Sequence, residues 1–281
     1  MKCRHCQSEL TVSLIDLVTS PPSNAYLTQQ ELQATEKYFP LRVLVCTDCW
    51  LVQTEDYAGA DELFSSDYAY FSAFSSSWLK HSEQYVTNMV DRFDLDGQSY
   101  IVEVAANDGY LLQYVKARGI PCLGIEPTTS TADAARKKGI EIIEDFFGVE
   151  LANKMVEQGK QADLTAANNV LAHVPDINDF VGGFAALLKP TGVSTFEFPH
   201  LLQLVSENQF DTIYHEHYSY LSLTAVKKIF ESNGLSVFDV EILPTHGGSL
   251  RVYAQRIDTG SHQTSDNVIK ILDQEKSAGM N

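Results

Sequence analysis

Four of the five cysteines stand as two Cys-x-x-Cys pairs, Cys3 with Cys6 and Cys46 with Cys49. Two thiolates separated by two residues grip one ion from a tight turn, and a second pair completes a four-sulfur site that suits Zn²⁺. Such a site is closed, so its metal is structural and leaves no position for a reacting water. The competing readings are a redox dithiol and a zinc ribbon that grips nucleic acid. Cys122 stands alone in an apolar segment and reads as a buried spectator.

The second group is Glu103-Val104-Ala105-Ala106-Asn107-Asp108-Gly109, which follows a strand-like run and opens a helical stretch, Tyr110 to Arg118. A turn of small residues lets backbone approach a ligand closely, and the helix N-terminus offers amides to it. Glu126, at the end of the next strand, is placed for ribose hydroxyls as acids are in dinucleotide folds. The Gly-x-Gly-x-x-Gly pattern that cradles a pyrophosphate is missing. The loop therefore suits S-adenosylmethionine better than NAD. Asp145-Phe146, after a third strand, could bond and cover adenine, with Phe146 as ordinary core the competing reading.

The third group is Phe210-Asp211-Thr212-Ile213-Tyr214-His215-Glu216-His217-Tyr218, in a long insertion after a fifth strand. Titratable and aromatic groups at that density, beyond the carboxyl ends of parallel strands, suit ligand binding and acid–base work. A metal held by His215 and His217 is an alternative, and histidines of a polar surface loop are another. Minor candidates are Asn169 and His173, at the end of the fourth strand, and His246-Gly247-Gly248-Ser249, where the double glycine also fits plain turn chemistry. Tyr68, Tyr70 and the serines up to Ser77 could cap a cofactor site or simply pack on the core.

These groups need a scaffold. Apolar runs at Tyr100 to Val104, Cys122 to Ile125, Ile140 to Ile143, Leu164 to Ala167 and Val193 to Phe198 alternate with helical stretches, the pattern of a mostly parallel sheet covered on both faces. The clearest helix starts at the N-cap Asp176, carries Ile177, Phe180, Val181, Phe184, Leu187 and Leu188 on one stripe, and stops at Pro190. A second runs from Ser222 to Asn233, before Gly234. Ser236 to Ile242 and Ser249 to Gln255 are joined too briefly for a crossover helix, so that pair should be antiparallel. The first sixty residues, with a Pro21-Pro22-Ser23-Asn24 turn, lack the apolar periodicity to bury a core alone.

The 281 residues carry 20 Lys+Arg against 37 Asp+Glu, a formal charge of −17. No basic run is present to neutralise phosphates, which argues against nucleic acid as a partner, and an acidic membrane leaflet would repel the chain. No apolar segment approaches the roughly 20 residues a spanning helix needs, and the N-terminus has no signal-peptide core. Paired cysteines as metal ligands fit a reducing compartment, so a cytoplasmic location is expected.

Taken in order, the two cysteine pairs, Glu103 to Gly109, Asn169 with His173, Tyr214 to His217 and the His246 hairpin resemble the S-adenosylmethionine-dependent C-methyltransferases of nucleotide-linked 4-keto-deoxysugars. The resemblance runs from Cys3 to about Arg256. It implies a zinc-binding domain over 1–60, a linker helix region capping the cofactor over 61–97, and a class I methyltransferase domain over 98–256. That domain would hold a Rossmann-like seven-stranded sheet whose last strand is antiparallel. Residues 257–281 would begin a further domain that is missing or shortened here. By resemblance His217 is the general base, with Tyr214, Glu216 and His173 as its catalytic neighbours. Glu103, Ala105, Asn107, Gly109, Glu126, Asp145, Phe146 and Asn168 would hold the cofactor. Tyr70, Tyr68, Asn169 and His246 would hold the sugar, and Cys3, Cys6, Cys46 and Cys49 the zinc. The implied reaction removes a proton alpha to the ketone and methylates the resulting carbon. O- or N-methylation of another metabolite, and a non-catalytic cofactor-binding scaffold, are the alternatives. A monomer is expected.

Overall fold

The computed structural model describes residues 1–23, 26–55, 57 and 71–281. Tyr68, Tyr70 and Asn24 therefore lie outside the described residues. The strands are β1 (Val12–Ser20), β2 (Phe39–Val45), β3 (Val52–Thr54), β4 (Ile101–Val104), β5 (Cys122–Ile125), β6 (Glu141–Ile143), β7 (Ala162–Asn168), β8 (Leu188–Pro199), β9 (Ser219–Tyr220), β10 (Leu235–Leu243) and β11 (Ser249–Arg256). The α-helices are α1 (Ser76–Phe93), α2 (Leu112–Ala117), α3 (Thr129–Lys137), α4 (Val149–Glu157), α5 (Ile177–Leu187), α6 (Leu201–Ser206), α7 (Leu223–Ser232) and α8 (Asp266–Ser277).

The larger sheet has the order β10-β11-β8-β7-β4-β5-β6. Its β4, β5, β7 and β8 pair in parallel, while β11 lies antiparallel to both β8 and β10. The expected antiparallel last strand is thus present, inserted between β8 and β10 rather than added at the edge. All four residues of β4 are buried, as a strand covered on both faces requires.

Helix α5 starts at Asp176, whose carboxylate accepts the Asp179 N–H at 3.0 Å. Its stripe of Ile177, Phe180, Val181, Phe184 and Leu187 is buried, and Phe184 meets Phe196 edge-on at 4.7 Å. Leu188, read as helical from periodicity, instead opens β8 and pairs with Ala162. Sheet pairing thereby draws Leu188 to Gly192 into the strand, five residues before the expected Val193. Helix α2 is likewise shorter than expected at both ends. Cys122 is half-buried at the start of β5, where burial pushes its thiol up to about 11.

The second sheet, β1-β2-β3-β9, was not foreseen. Its first three strands belong to the cysteine-bearing segment, and β9 follows directly on the His215–His217 loop. Cys3, Cys46, Cys49, Leu44 and Leu51 share one buried cluster with Phe180, Phe184 and Phe230. Leu41, Val43 and Val52 of the N-terminal unit pack in a further cluster with Leu201, Leu204, Ile213 and Tyr220, so both sets of its buried residues are shared with the rest of the chain.

At the other end, Glu275 of α8 is wholly buried. Its carboxylate accepts from His200 Nε2 at 2.7 Å, from the Leu223 and Thr224 N–H groups at 2.6 and 2.8 Å, and from Thr224 Oγ1 at 2.6 Å. Burial works to raise this carboxyl, and those hydrogen bonds outweigh it, leaving it below the ordinary carboxylate range. The arrangement caps α7 and pins the start of α6, the two ends of the segment that carries Tyr214 and His217. Glu275→Ala is expected to destabilise the fold by about 2–5 kcal/mol, because His200 and two amides lose a buried partner. Chemical denaturation measures it; an unchanged midpoint would remove the clamp from the account.

Candidate active site and metal centre

The carboxyl ends of β4, β5, β7 and β8 open into one cleft of about 820 Å³. Its floor begins at the β4–α2 turn. Ala105 and Asn107 adopt left-handed backbone, with φ of 59° and 49°, although neither is glycine. This is strain of the kind held at ligand sites, and its supports are visible. The Asn107 N–H donates to Glu126 Oε2 at 2.9 Å, and Thr128 N–H donates to Glu126 Oε1 at 3.0 Å. The Asn107 side-chain oxygen accepts from the Ser72 N–H at 3.0 Å. Burial raises the Glu126 carboxyl above its usual value despite these hydrogen bonds.

Ala105, Asn107, Glu126, Asp145, Phe146, Asn168, Asn169, His173, Tyr214, His217 and His246 all line this cleft. Phe146 is 57% exposed there, and the neighbouring Phe147 takes the core position, 4.8 Å from Phe184. Three expected residues do not reach the wall. Glu103 is completely buried under it, where burial pushes its carboxyl well above the usual range. Gly109 has φ of 75° and packs on α3; a Cβ there would meet Ile140 at 2.4 Å, so this glycine serves the turn. Glu216 is 1% exposed and sits behind the wall.

At the other end of the cleft the His217 ring is fixed at both nitrogens. Nδ1 lies 2.8 Å from the Thr212 carbonyl, which only accepts, so Nδ1 carries the hydrogen. Nε2 is then the acceptor and takes the Tyr214 hydroxyl at 2.8 Å. The His173 ring stands 4.6 Å away, and its Nδ1 donates to the Glu216 carbonyl at 2.8 Å. Burial, with the unfavourable proximity of the His173 ring next, lowers His217 to about 3, and burial lowers His173 as well. Both rings are neutral bases at pH 7. His215 is turned the other way: its Nε2 donates to the Pro40 carbonyl at 3.1 Å and its ring meets Phe39 edge-on. The two histidines do not share a face.

The four cysteine sulfurs lie within 4.8 Å of one another, with Cys3 and Cys49 at 3.5 Å and Cys6 and Cys46 at 3.4 Å. A tetrahedral zinc with Zn–S near 2.3 Å sets sulfurs about 3.8 Å apart, so the donors fit this ion. It is the one such cluster among the described residues. From it a path of hydrogen bonds leads to the cleft. Gln53 Nε2 donates to Cys3 Sγ at 3.2 Å and the Gln53 side-chain oxygen accepts the Arg4 N–H at 2.9 Å. The next residue, Thr54, donates from Oγ1 to the His217 carbonyl at 3.1 Å and from its N–H to the Tyr218 carbonyl at 3.1 Å.

Ser72, one of the serines up to Ser77, and Thr212, in the third motif, line the wall, whereas sequence reasoning missed Ser23 and Trp78 there. Ser23 was legible as part of a turn and nothing more. Trp78 carried a signal, a lone indole in the first turn of a Ser-capped helix; it stacks on His81 at 4.9 Å and faces His246 edge-on at 5.2 Å.

The sheet order, the strained β4–α2 turn and the acid closing β5 define a class I methyltransferase fold carrying a four-thiolate unit. Comparison with known families and proteins agrees. A methyltransferase domain model matches residues 78–240, a zinc binding domain model residues 3–64, and a C-methyltransferase C-terminal domain model residues 244–281. The chain belongs to the methyltransferase domain family. Among curated relatives, the C-methyltransferase NovU of Streptomyces niveus is 33% identical over 99% of this chain, which spans 66% of that protein's length. A ubiquinone biosynthesis O-methyltransferase of Bordetella avium is 30% identical over 33% of this chain and 39% of its own. The fold is shared with the PH0226 protein of Pyrococcus horikoshii at a TM-score of 0.56, 14% identity and 69% of this chain against 99% of that one. It is shared with an S-adenosylmethionine-dependent methyltransferase of Clostridium acetobutylicum at 0.51, with 11% identity and coverage of 63% and 92%. No helix among the described residues is long and apolar enough to cross a membrane.

Proposed function

We propose that the chain is an S-adenosylmethionine-dependent C-methyltransferase acting on a nucleotide-linked 4-keto-deoxysugar. The observation that carries this reading is the placement of Asn107 and Glu126 at one end of a continuous cleft and of Tyr214, His173 and His217 at the other. The similarity to a C-methyltransferase along nearly the whole chain supports it.

Glu126, Asn107, Asp145, Phe146 and Asn168 would hold the methyl donor, which when bound supplies an electrophilic sulfonium methyl. The protein's residues supply the nucleophile. A sugar carbon becomes one only by losing the proton alpha to the C4 ketone, and neutral His217, anchored at Nδ1 by Thr212, accepts it at Nε2 once Tyr214 yields that position. The Tyr214 hydroxyl, released from His217, then donates to the enolate oxygen. The imidazolium and the enolate form together as opposite charges, which offsets the burial that otherwise keeps His217 neutral. Glu103 and Gly109 support the turn from behind. The four thiolates fit a reducing cytoplasm, and one core spanning both units is consistent with a monomer.

The test is mass-spectrometric methyl transfer to a panel of nucleotide 4-keto-6-deoxysugars, with proton loss at sugar C3 or C5 followed in heavy water. A methylated product with substrate-dependent exchange is the expected result. Methylation without exchange would point to O- or N-transfer, and cofactor binding without any product to another acceptor. Glu126→Ala leaves the Asn107 and Thr128 amides without their acceptor and is expected to weaken cofactor binding by about tenfold or more. Calorimetric titration with S-adenosylhomocysteine reads this directly, and an unchanged Kd would remove Glu126 from the cofactor site.

A further inference from the structure

Glu216 stands in the third sequence motif yet does not reach the cleft; Ser23 stands in front of it. The Ser23 hydroxyl lies 3.0 Å from each carboxylate oxygen of Glu216, while Ser23 itself lines the cleft with Thr212, Tyr214 and His217. A carboxylate only accepts, so the Ser23 hydrogen is committed inward and its lone pairs are left for the cleft. Polarisation toward the carboxylate makes that oxygen a better acceptor. A ketone or phosphate oxygen placed against Ser23 would meet lone pairs there, with the Glu216 charge behind them. A hydroxyl or amine would meet an acceptor.

We propose that Ser23, backed by Glu216, is a specificity-determining residue that selects an acceptor carrying a hydroxyl or amine donor on the sugar ring and turns its ketone and phosphates away from this wall. The inference rests on the sugar reading above and adds which ring group faces which residue. It also gives the N-terminal unit a direct part in acceptor recognition.

The experiment measures acceptor Kd calorimetrically with S-adenosylhomocysteine present, so no turnover is needed. The probes are a nucleoside-diphosphate 4-keto-6-deoxyhexose and its 2-deoxy and 3-deoxy counterparts. The unaltered protein should bind the parent about tenfold more tightly than one of the two counterparts, the worth of one well-placed hydrogen bond. Ser23→Ala should close that gap by weakening the parent alone, and Ser23→Thr, which keeps the hydroxyl, should restore it. Equal weakening of all three sugars by Ser23→Ala, or no weakening, would overturn the proposal. So would failure of any of them to bind the unaltered protein, which would take the sugar reading with it. Selective binding without methyl transfer would instead overturn C-methylation and leave the Ser23 assignment standing.

Discussion

His217→Asn is expected to lower methyl transfer by about 10²–10⁴-fold, the usual contribution of a positioned general base, with Kd for S-adenosylhomocysteine nearly unchanged. Among the described residues the His217 ring bonds to Thr212 and Tyr214, neither of them at the cofactor end of the cleft. Solvent exchange of the sugar proton should fall in parallel with methyl transfer. A variant that keeps comparable activity would end the assignment of His217 as the base.

The same ring makes a prediction about pH. With its folded value lowered to about 3, mainly by burial, the base stays neutral far below the pH of about 6.5 at which an ordinary histidine protonates. The acid limb of kcat/KM should therefore not fall near that value, and activity should persist to roughly pH 5 while the fold survives. For stability the sign is equally definite. Between about 6.5 and 3 the unfolded ring binds a proton that the folded ring refuses, so this contribution is complete above about 6.5 and is lost as pH falls toward 3. Thermal denaturation of His217→Asn between pH 7 and pH 4 should accordingly decline less steeply than that of the unaltered protein. Identical slopes would mean the ring is not buried as the structure has it.

Removal of the thiolate-bound metal is the second large effect. Structural zinc sites contribute folding free energy outright, and the N-terminal unit shares its buried residues with the methyltransferase helices. Chelation, or Cys46→Ala, is expected to lower Tm by more than about 10 °C. The more telling readout is local. Since β3 pairs with β9 and Thr54 holds the His217 and Tyr218 carbonyls, amide exchange should rise in Val52–Thr54 and in Ser219–Tyr220 together. Protection retained at Ser219 and Tyr220 after metal loss would show that the proposed catalytic loop does not depend on the metal unit.

Much of this protein was legible in local patterns. Two residues between thiols specify a metal knuckle by geometry alone, and the 3.6-residue stripe with Asp176 before it specifies α5. The short connection before Ser249 leaves no room for a crossover, which made β11 antiparallel without any knowledge of its neighbours. Phe210 to Tyr218 announced itself by residue type. What spacing could not decide is what depends on contacts between distant segments. Which of Phe146 and Phe147 enters the core, and which of His215 and His217 faces the cleft, follows from packing that adjacent residues share equally in sequence. The insertion of β11 between β8 and β10 is a matter of sheet register, and Ser23 meets Glu216 across 193 residues. Periodicity records how one segment meets a surface. Hydrogen bonds satisfied between segments leave no period in either, and here they place the metal unit against the proposed catalytic loop.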